Sequence, residues 1–212
     1  MIKFENVWKK YGYTVALRNV NLVFDEPSSN LIIGPNGSGK TTMLKMICGL
    51  VKPSKGHVEV FGVKPHIDLK RVMKFVSFFF EDDPLPWWET GRDYIEMLSR
   101  IIDYDLDEIR DLILGLKINE FWDKKIYTYS SGMRRKIQIL KAFIGYREVI
   151  ILDEPLTLLD RESKKFLIDF LGSEFKDRYL LISSHIDEGL SEVADRIIYV
   201  ENGEIGWIKN VG

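Results

Sequence analysis

The sequence predicts an α/β fold with a mostly parallel sheet, on three observations about its apolar residues. Continuous apolar runs, which are typical of parallel strands buried on both faces, occur at 31–33, 75–80, 149–152 and 179–182. Helical spacing of apolar residues follows two of these runs, at 43–48 and 166–171. Polar and charged residues that are able to bind ligands or take part in catalysis stand where several of these runs end. Strands alternating with helices in this way are the pattern of an α/β protein.

Strands are also predicted near both ends of the chain. Apolar and polar residues alternate over 2–8 and 20–24, as in strands with one buried face. Near the other end, 197–200 and 205–207 flank Asn202-Gly203. That dipeptide favours a type I′ turn, so we expect a β-hairpin there.

The segment 81–130 has a different pattern, in which helical spacing replaces continuous apolar runs. The roughly 45 residues from 84 to 130 are too few to build a stable core alone, so we expect an inserted helical subdomain. The chain is then a single domain spanning 1–212. Its core comes from 1–80 and 131–212, and the insertion is 81–130.

The bulk composition limits the classes of partner. Lys and Arg number 30 against 32 Asp and Glu, a formal charge of -2, so we expect no nucleic-acid partner. The sequence has no apolar run of 18 residues, the length expected of a membrane-spanning helix. Residues 1–5 have no apolar signal core, and a cytoplasmic location is expected.

A phosphate-binding loop follows the first apolar run. Its residues are Gly34, Pro35, Asn36, Gly37, Ser38, Gly39, Lys40, Thr41 and Thr42. Gly-x-x-x-x-Gly-Lys-Thr between a strand and a helix is the P-loop pattern. Backbone N–H groups and the helix N-terminus capture an anion there. Lys40 is placed to supply a charge for the β/γ-phosphates, and the Thr41 hydroxyl is placed to ligate Mg²⁺.

Carboxylates and a histidine follow other predicted strands. Asp153 and Glu154 end the run at 149–152, Glu81 follows 75–80, and His185 ends the strand at 179–184. Ligands bind at the carboxyl ends of the strands in open α/β sheets. Asp153 is placed to hold Mg²⁺, and Glu154 to deprotonate an attacking water. A lone histidine is often structural, but this placement favours a functional one.

A second helix N-terminus is predicted at Tyr129-Ser130-Ser131-Gly132. Such a serine-glycine turn binds anions or simply caps the helix. Met133 and Ile137 are expected on its buried side and 134–136 on its solvated side. Asp160 is expected to cap the following helix.

Aromatic residues leave two interpretations open at two places. Tyr11, in the turn after the first strand, either packs on the surface or stacks a nucleobase. Trp87 and Trp88 stand between prolines and the helical segment. They either pack within the insertion or form an exposed docking patch.

Taken together, these residues resemble the ATP-binding cassette (ABC) ATPase family over essentially the whole chain. The P-loop at 34–42 matches in full, and the Asp-Glu pair matches Asp153 and Glu154. The family's signature helix start appears as 129–133. Its loop aspartate, switch histidine and adenine-stacking aromatic match Asp160, His185 and Tyr11. The resemblance adds an N-terminal antiparallel β subdomain to the predicted fold.

The resemblance implies an ATPase that works as a homodimer or a heterodimer with another ABC ATPase. ATP lies between the P-loop of one chain and Ser130, Ser131 and Gly132 of the other, with Mg²⁺ as cofactor. His185 contacts the γ-phosphate. An integral membrane permease receives the work, which places the chain peripherally on the inner face of the cell membrane. The segment 81–93 is the expected docking region.

Two departures from the family pattern stand at the implied site. Glu81 replaces a glutamine, and Ser131 replaces a glycine. A glutamate still ligates Mg²⁺, but its added charge near the γ-phosphate predicts a steeper dependence of ATP affinity on the metal. The form 129–135 is most similar to exporters. The alternatives are a soluble ABC ATPase that does not drive transport and a degenerate regulatory ATP-binding subunit.

Overall fold

The computed structural model describes residues 1–175 and 177–211. A small antiparallel sheet forms at the N-terminus from β1 (Ile2–Tyr11), β2 (Thr14–Phe24) and β4 (Lys55–Val60), in the order β2-β1-β4. The predicted N-terminal strands are therefore right in place but too short. β1 and β2 continue to the tight turn at Gly12, whose φ of 57° suits glycine.

A second sheet holds the candidate functional residues. It has six strands in the order β5-β6-β7-β3-β8-β9. Their bounds are β3 (Ser28–Ile33), β5 (Val76–Phe79), β6 (Val149–Asp153), β7 (Tyr179–Ser184), β8 (Arg196–Glu201) and β9 (Glu204–Asn210). The strands run parallel except β9, which forms the predicted hairpin with β8. The predicted α/β fold with a mostly parallel sheet is confirmed.

Six α-helices lie among the described residues. They are α1 (Lys40–Ile47), α2 (Leu69–Val72), α3 (Gly91–Ile102), α4 (Arg110–Gly115), α5 (Ser131–Ala142) and α6 (Arg161–Glu174). Between β5 and α5 the chain contains α3, α4 and short 3₁₀ turns at 106–109, 118–120 and 126–128. Among the described residues, no helix combines the length and apolar character that crossing a membrane requires.

The six-stranded sheet separates two hydrophobic cores. One face of the sheet presents Ile150 and Leu180 to a core shared with α3, α4, α5 and α6. The opposite face presents Ile151 and Leu181 to a core shared with α1 and the antiparallel sheet. Alternate residues of a strand point to opposite faces, so continuous apolar runs were required to fill both cores. The helical segment uses the core of the sheet rather than one of its own.

One expectation about α5 is wrong for two of its three residues. Residues 134–136 were expected on its solvated side, and Arg134 is exposed there, yet Arg135 is only 2% exposed and Lys136 only 8%. Met133 is half-buried instead. The reason is that α5 packs on more than one side. Lys136 forms an ion pair with Asp160 at 3.0 Å, and Arg135 lies over the ring of Phe79 at 4.9 Å.

Candidate functional site

Three predicted site segments meet at the carboxyl ends of neighbouring strands. β3 lies beside β7, with Ile33 opposite Ser184, and β7 lies beside β6, with Ser183 opposite Asp153. The backbone N–H of Gly34 donates to the Ser184 carbonyl at 3.3 Å. The loop after β3 and the residues after β6 and β7 therefore lie at one edge of the sheet, as their order in the sequence predicted.

The P-loop wraps around the side chain of Lys40, which is 5% exposed. Its Nζ donates to the carbonyls of Gly34 at 2.6 Å and Pro35 at 3.2 Å. Burial lowers the Lys40 pKa, an effect that the charges of Glu154 and Asp153 oppose. Gly34 leaves no room for a side chain, since an added Cβ would lie 2.0 Å from the Val200 carbonyl oxygen.

Asp153 is the shared acceptor of two hydroxyls. Thr41 Oγ1 lies 3.0 Å and 2.9 Å from its two carboxylate oxygens, and Ser183 Oγ donates to Oδ1. Burial raises the Asp153 pKa, and the two hydroxyl donors act against that rise. Sequence reasoning missed Ser183. The signal available was its place on the strand beside β6, one residue before a predicted strand end.

Glu154 lies between a histidine and a lysine. His185 Nδ1 is 2.8 Å from Glu154 Oε2, and Lys40 Nζ is 3.8 Å from Glu154 Oε1. The Glu154 backbone has a φ of 53°, a region that non-glycine residues adopt rarely and mainly where surroundings enforce it. Here its N–H donates to the Ser183 carbonyl at 3.1 Å. We call Lys40, Thr41, Asp153, Glu154 and His185 the strand-end cluster.

The residues present fit an anionic ligand and a hard cation. Ser38 Oγ is buried and has no hydrogen-bond partner within the described chain, although buried hydroxyls are normally paired. It points to a polar ligand at the P-loop. The Thr41 hydroxyl and Asp153 carboxylate offer oxygen donors of the type Mg²⁺ prefers. These side chains lie along an open cleft of about 200 Å³. Its lining includes residues 36–42, Glu81, Asp153 and Glu154.

Volume alone does not locate this site. A larger cleft of about 870 Å³ lies between the two sheets and is lined by Lys3, Asp25, Arg196 and neighbouring residues. No P-loop residue lines it. The smaller cleft brings together a buried ammonium, carboxylates and a helix N-terminus, and this chemistry identifies it as the candidate site.

Some predicted site residues lie outside the cleft. Ser130 caps α5 by accepting the Met133 N–H at 3.2 Å, and it is exposed like Ser131. Tyr11 is half exposed, with Lys9 Nζ 4.7 Å from its ring centroid. Asp160 caps α6, accepting the Ser163 N–H at 2.8 Å. None of these side chains is among those lining the cleft.

The family model described as "ABC transporter" matches residues 17–157, two-thirds of the chain. This range contains the P-loop, the loop after β5, the start of α5 and Asp153-Glu154.

The chain belongs to the ABC transporter family.

Relatives and solved structures agree with this assignment to the ABC transporter family. A putative ABC transporter ATP-binding protein of Pyrococcus furiosus is 32% identical over all of this chain and 84% of its own length. The human glucosylceramide transporter ABCA12 is 31% identical over 95% of this chain, which spans 8% of that protein. A dimeric ATP-binding cassette in a post-hydrolysis state, bound to ADP and Pi, is 29% identical with a TM-score of 0.84. The alignment covers 100% of this chain and 99% of that one.

The resemblance seen in the sequence is thus confirmed. The chain is an ATP-binding ATPase subunit of the ABC transporter family, and its predicted fold is that of the family's cassettes. The roles of the individual site residues stay predictions, including those of Tyr11, Asp160 and His185, which lie outside the matched range of the family model.

Proposed function

We propose that this ABC subunit hydrolyses ATP with Mg²⁺ and delivers the work to a separate membrane permease. The observation that carries the proposal is the strand-end cluster, with Glu154 between His185 at 2.8 Å and Lys40 at 3.8 Å. The His185 imidazole and the Lys40 ammonium thus approach the same Glu154 carboxylate, at the edge of the sheet where the P-loop begins.

Lys40 and the P-loop N–H groups bind the β/γ-phosphates in this mechanism. The carbonyls of Gly34 and Pro35 hold the Lys40 ammonium in the loop until phosphate oxygens replace them. Thr41, Asp153 and Glu81 are the residues that would hold Mg²⁺. The metal neutralises charge on the phosphates when it is bound. Ser183 orients Asp153 for this task, since its hydroxyl donates to Oδ1.

Glu154 accepts a proton from the water that attacks the γ-phosphate. His185 positions the Glu154 carboxylate through the Nδ1–Oε2 contact and reaches the γ-phosphate once ATP is bound. The histidine is 40% exposed, so it is free to meet a ligand. Retention of both residues argues against a degenerate subunit that only binds ATP.

A partner cassette completes the site in this proposal. Ser130, Ser131 and Gly132 are turned to solvent or half-buried rather than toward the chain's own P-loop, which suits contact with the ATP of another protomer. The related cassette bound to ADP and Pi is dimeric. We propose a head-to-tail dimer here, as a homodimer or with another ABC ATPase, with Tyr11 stacking adenine and Asp160 at the interface.

The permease docks, we propose, on the aromatic pair Trp87 and Trp88. The two rings are 63% and 56% exposed and contact each other edge to face at 5.5 Å. Tyr127, also exposed, lies nearby, because its backbone N–H donates to the Trp87 carbonyl at 3.0 Å. Adjacent exposed aromatic rings are typical of binding surfaces. The subunit would then lie on the cytoplasmic face of the membrane.

Export is the proposed direction of transport. The signature form 129–135 is similar to that of exporters. The genes next to this one test the proposal. A neighbouring gene for a polytopic membrane protein would support the separate permease, and one for a solute-binding protein would contradict export.

The hydrolytic role is tested with Glu154→Gln, whose amide cannot accept the water's proton. We expect ATP binding to persist, turnover to fall on the order of 10²-fold or more, and an ATP-bound dimer to accumulate in size-exclusion chromatography. Glu148→Gln is the matched control, since Glu148 is exposed at the other end of β6. Turnover at the wild-type rate in Glu154→Gln contradicts the proposed role.

The docking role is tested with Trp88→Ala in the assembled transporter. We expect weaker co-purification with the permease and unchanged ATP binding. Trp207→Ala is the control, because Trp207 is 47% exposed on the β8–β9 hairpin, on a different surface. Equal co-purification of both variants with the permease removes the docking surface from 87–88.

A further inference from the structure

One face of α5 holds the loop that follows β5. Arg135, Gln138 and Lys141 are spaced three residues apart, which places them along one side of a helix. Arg135 Nη2 lies 3.4 Å from Glu81 Oε1, Gln138 Nε2 donates to the Asp83 carbonyl at 2.6 Å, and Lys141 Nζ lies 2.7 Å from Asp83 Oδ2. We call Glu81, Asp83, Arg135, Gln138 and Lys141 the helix-side cluster.

Arg135 is the unusual member of the helix-side cluster. Its side chain is 2% exposed, and its Nε and Nη1 atoms are buried without a hydrogen-bond partner in the described chain. Buried arginines are normally paired, and an unpaired buried charge is costly. The Glu81 carboxylate is the charged group that Arg135 reaches.

Negative charge crowds the cleft that Glu81 lines. Glu81, Asp153 and Glu154 are all lining residues, and bound ATP adds its phosphates. Burial lowers the Arg135 pKa, while the charges of Glu81, Asp153 and Glu154 raise it. Those carboxylates are therefore close enough to feel the guanidinium. Arg135 is a fixed positive charge behind the acidic side of the cleft.

We propose that Arg135 is a positioning residue that offsets the charge of Glu81. The ion pair draws the Glu81 carboxylate toward α5 and neutralises it when no metal is present. ATP then binds without metal more tightly than an unpaired glutamate would permit. The steep Mg²⁺ dependence that Glu81 alone predicts is reduced by this partner. The inference rests on the proposed function and deepens it, since it concerns charge at the same site.

A double-mutant cycle tests the pairing. The dissociation constant of a fluorescent ATP analogue is measured in EDTA and in Mg²⁺. The constant in EDTA divided by the constant in Mg²⁺ reports the metal dependence. Arg135→Gln is expected to raise this ratio about threefold to tenfold by leaving Glu81 unpaired. In the Glu81→Gln background, the same change is expected to alter the ratio by less than about twofold.

Glu81→Asp gives a test that keeps Arg135 itself in place. Aspartate keeps the charge but is one methylene shorter, so it breaks a contact that is 3.4 Å long in the wild type. We expect its ratio to rise as in Arg135→Gln. Lys141→Gln is the matched control, because it removes a neighbouring ion pair of α5 with the same loop while leaving Glu81 paired. Its ratio should stay at the wild-type value.

Thermal unfolding of each variant shows which are folded. Equal effects of Arg135→Gln in the two backgrounds would mean that Arg135 acts as a general positive charge, and the positioning role is then wrong. A wild-type ratio in Glu81→Asp overturns it as well, even where Arg135→Gln does not fold. A wild-type protein that binds no ATP at all overturns the proposed function together with this inference.

Discussion

The strand-end cluster and the helix-side cluster both bury charged side chains, but their contacts differ in kind. Thr41 and Ser183 meet at the Asp153 carboxylate, and His185 and Lys40 at the Glu154 carboxylate. These contacts join the ends of separate strands to the P-loop. In the helix-side cluster, Lys141 and Asp83 form an ion pair that ties a loop to a helix.

The two clusters therefore stand in different relation to stability. Burial raises the Asp153 pKa and lowers the Lys40 pKa, so the fold opposes ionisation of both groups. Asp83, in contrast, accepts both the Lys141 ammonium and the Phe80 N–H at 3.2 Å. The strand-end cluster therefore holds charge at a cost to folding, whereas the contacts of Asp83 in the helix-side cluster stabilise the fold.

Asp153→Asn gives the largest expected effect on function. Loss of the carboxylate that is proposed to hold Mg²⁺ should lower ATP turnover on the order of 10²-fold or more. The same change should raise the thermal unfolding midpoint of the nucleotide-free protein at pH 7, because it removes a charge that burial disfavours.

The pH dependence of that gain follows from the sign of the shift. A raised folded-state pKa contributes stability below the unfolded value, 3.8 for Asp153, and loses it as pH rises through the folded value. The difference between variant and wild type should therefore be full at neutral pH and shrink in acid. If Asp153→Asn is less stable than the wild type at pH 7, the Asp153 charge is not held at a cost to folding.

Asp83→Ala should have the opposite effect on stability. It leaves the Lys141 ammonium and the Phe80 N–H without their acceptor, and the free energy of unfolding should fall by about 1–3 kcal/mol. Urea unfolding measures this. Asp82→Ala is the matched control, since the neighbouring Asp82 is 73% exposed and pairs with Lys45 at the surface. Its cost should stay below about 1 kcal/mol.

Asp160→Ala decides to which kind of contact Asp160 belongs. The Ser163 N–H and Lys136 hold the pKa of Asp160 well below its usual range, as in a structural helix cap. Loss of this cap should cost about 0.5–2 kcal/mol. Wild-type Asp160 stabilises the fold above its unfolded pKa and loses that contribution as pH falls.

Asp169→Ala is the control for Asp160, because Asp169 is exposed in the middle of α6. If Asp160→Ala loses ATP turnover under conditions where the variant is fully folded, Asp160 belongs to the nucleotide site as well. Unchanged turnover in the folded variant assigns it to the cap alone.

The sequence by itself determined much of the strand-end cluster. The P-loop is contiguous, and Asp153, Glu154 and His185 each stand at the end of a segment whose apolar run predicts a buried strand. Parallel strands bring their carboxyl ends to one edge, so local pattern was enough to predict that these residues meet. The hairpin at Asn202-Gly203 was equally local, with both turn residues at positive φ.

Tertiary structure alone decided the helix-side cluster and the burial of Lys136 beside it. Hydrophobic periodicity assigns charged residues to solvent, yet a helix face is exposed only where nothing else packs on it. The loop after β5 and the N-terminus of α6 cover Arg135 and Lys136. Their partners, Glu81 and Asp160, lie 54 residues before Arg135 and beyond β6, respectively. Long side chains bury their stems while their charged ends find distant partners, and no local pattern in the sequence specifies which partner that is.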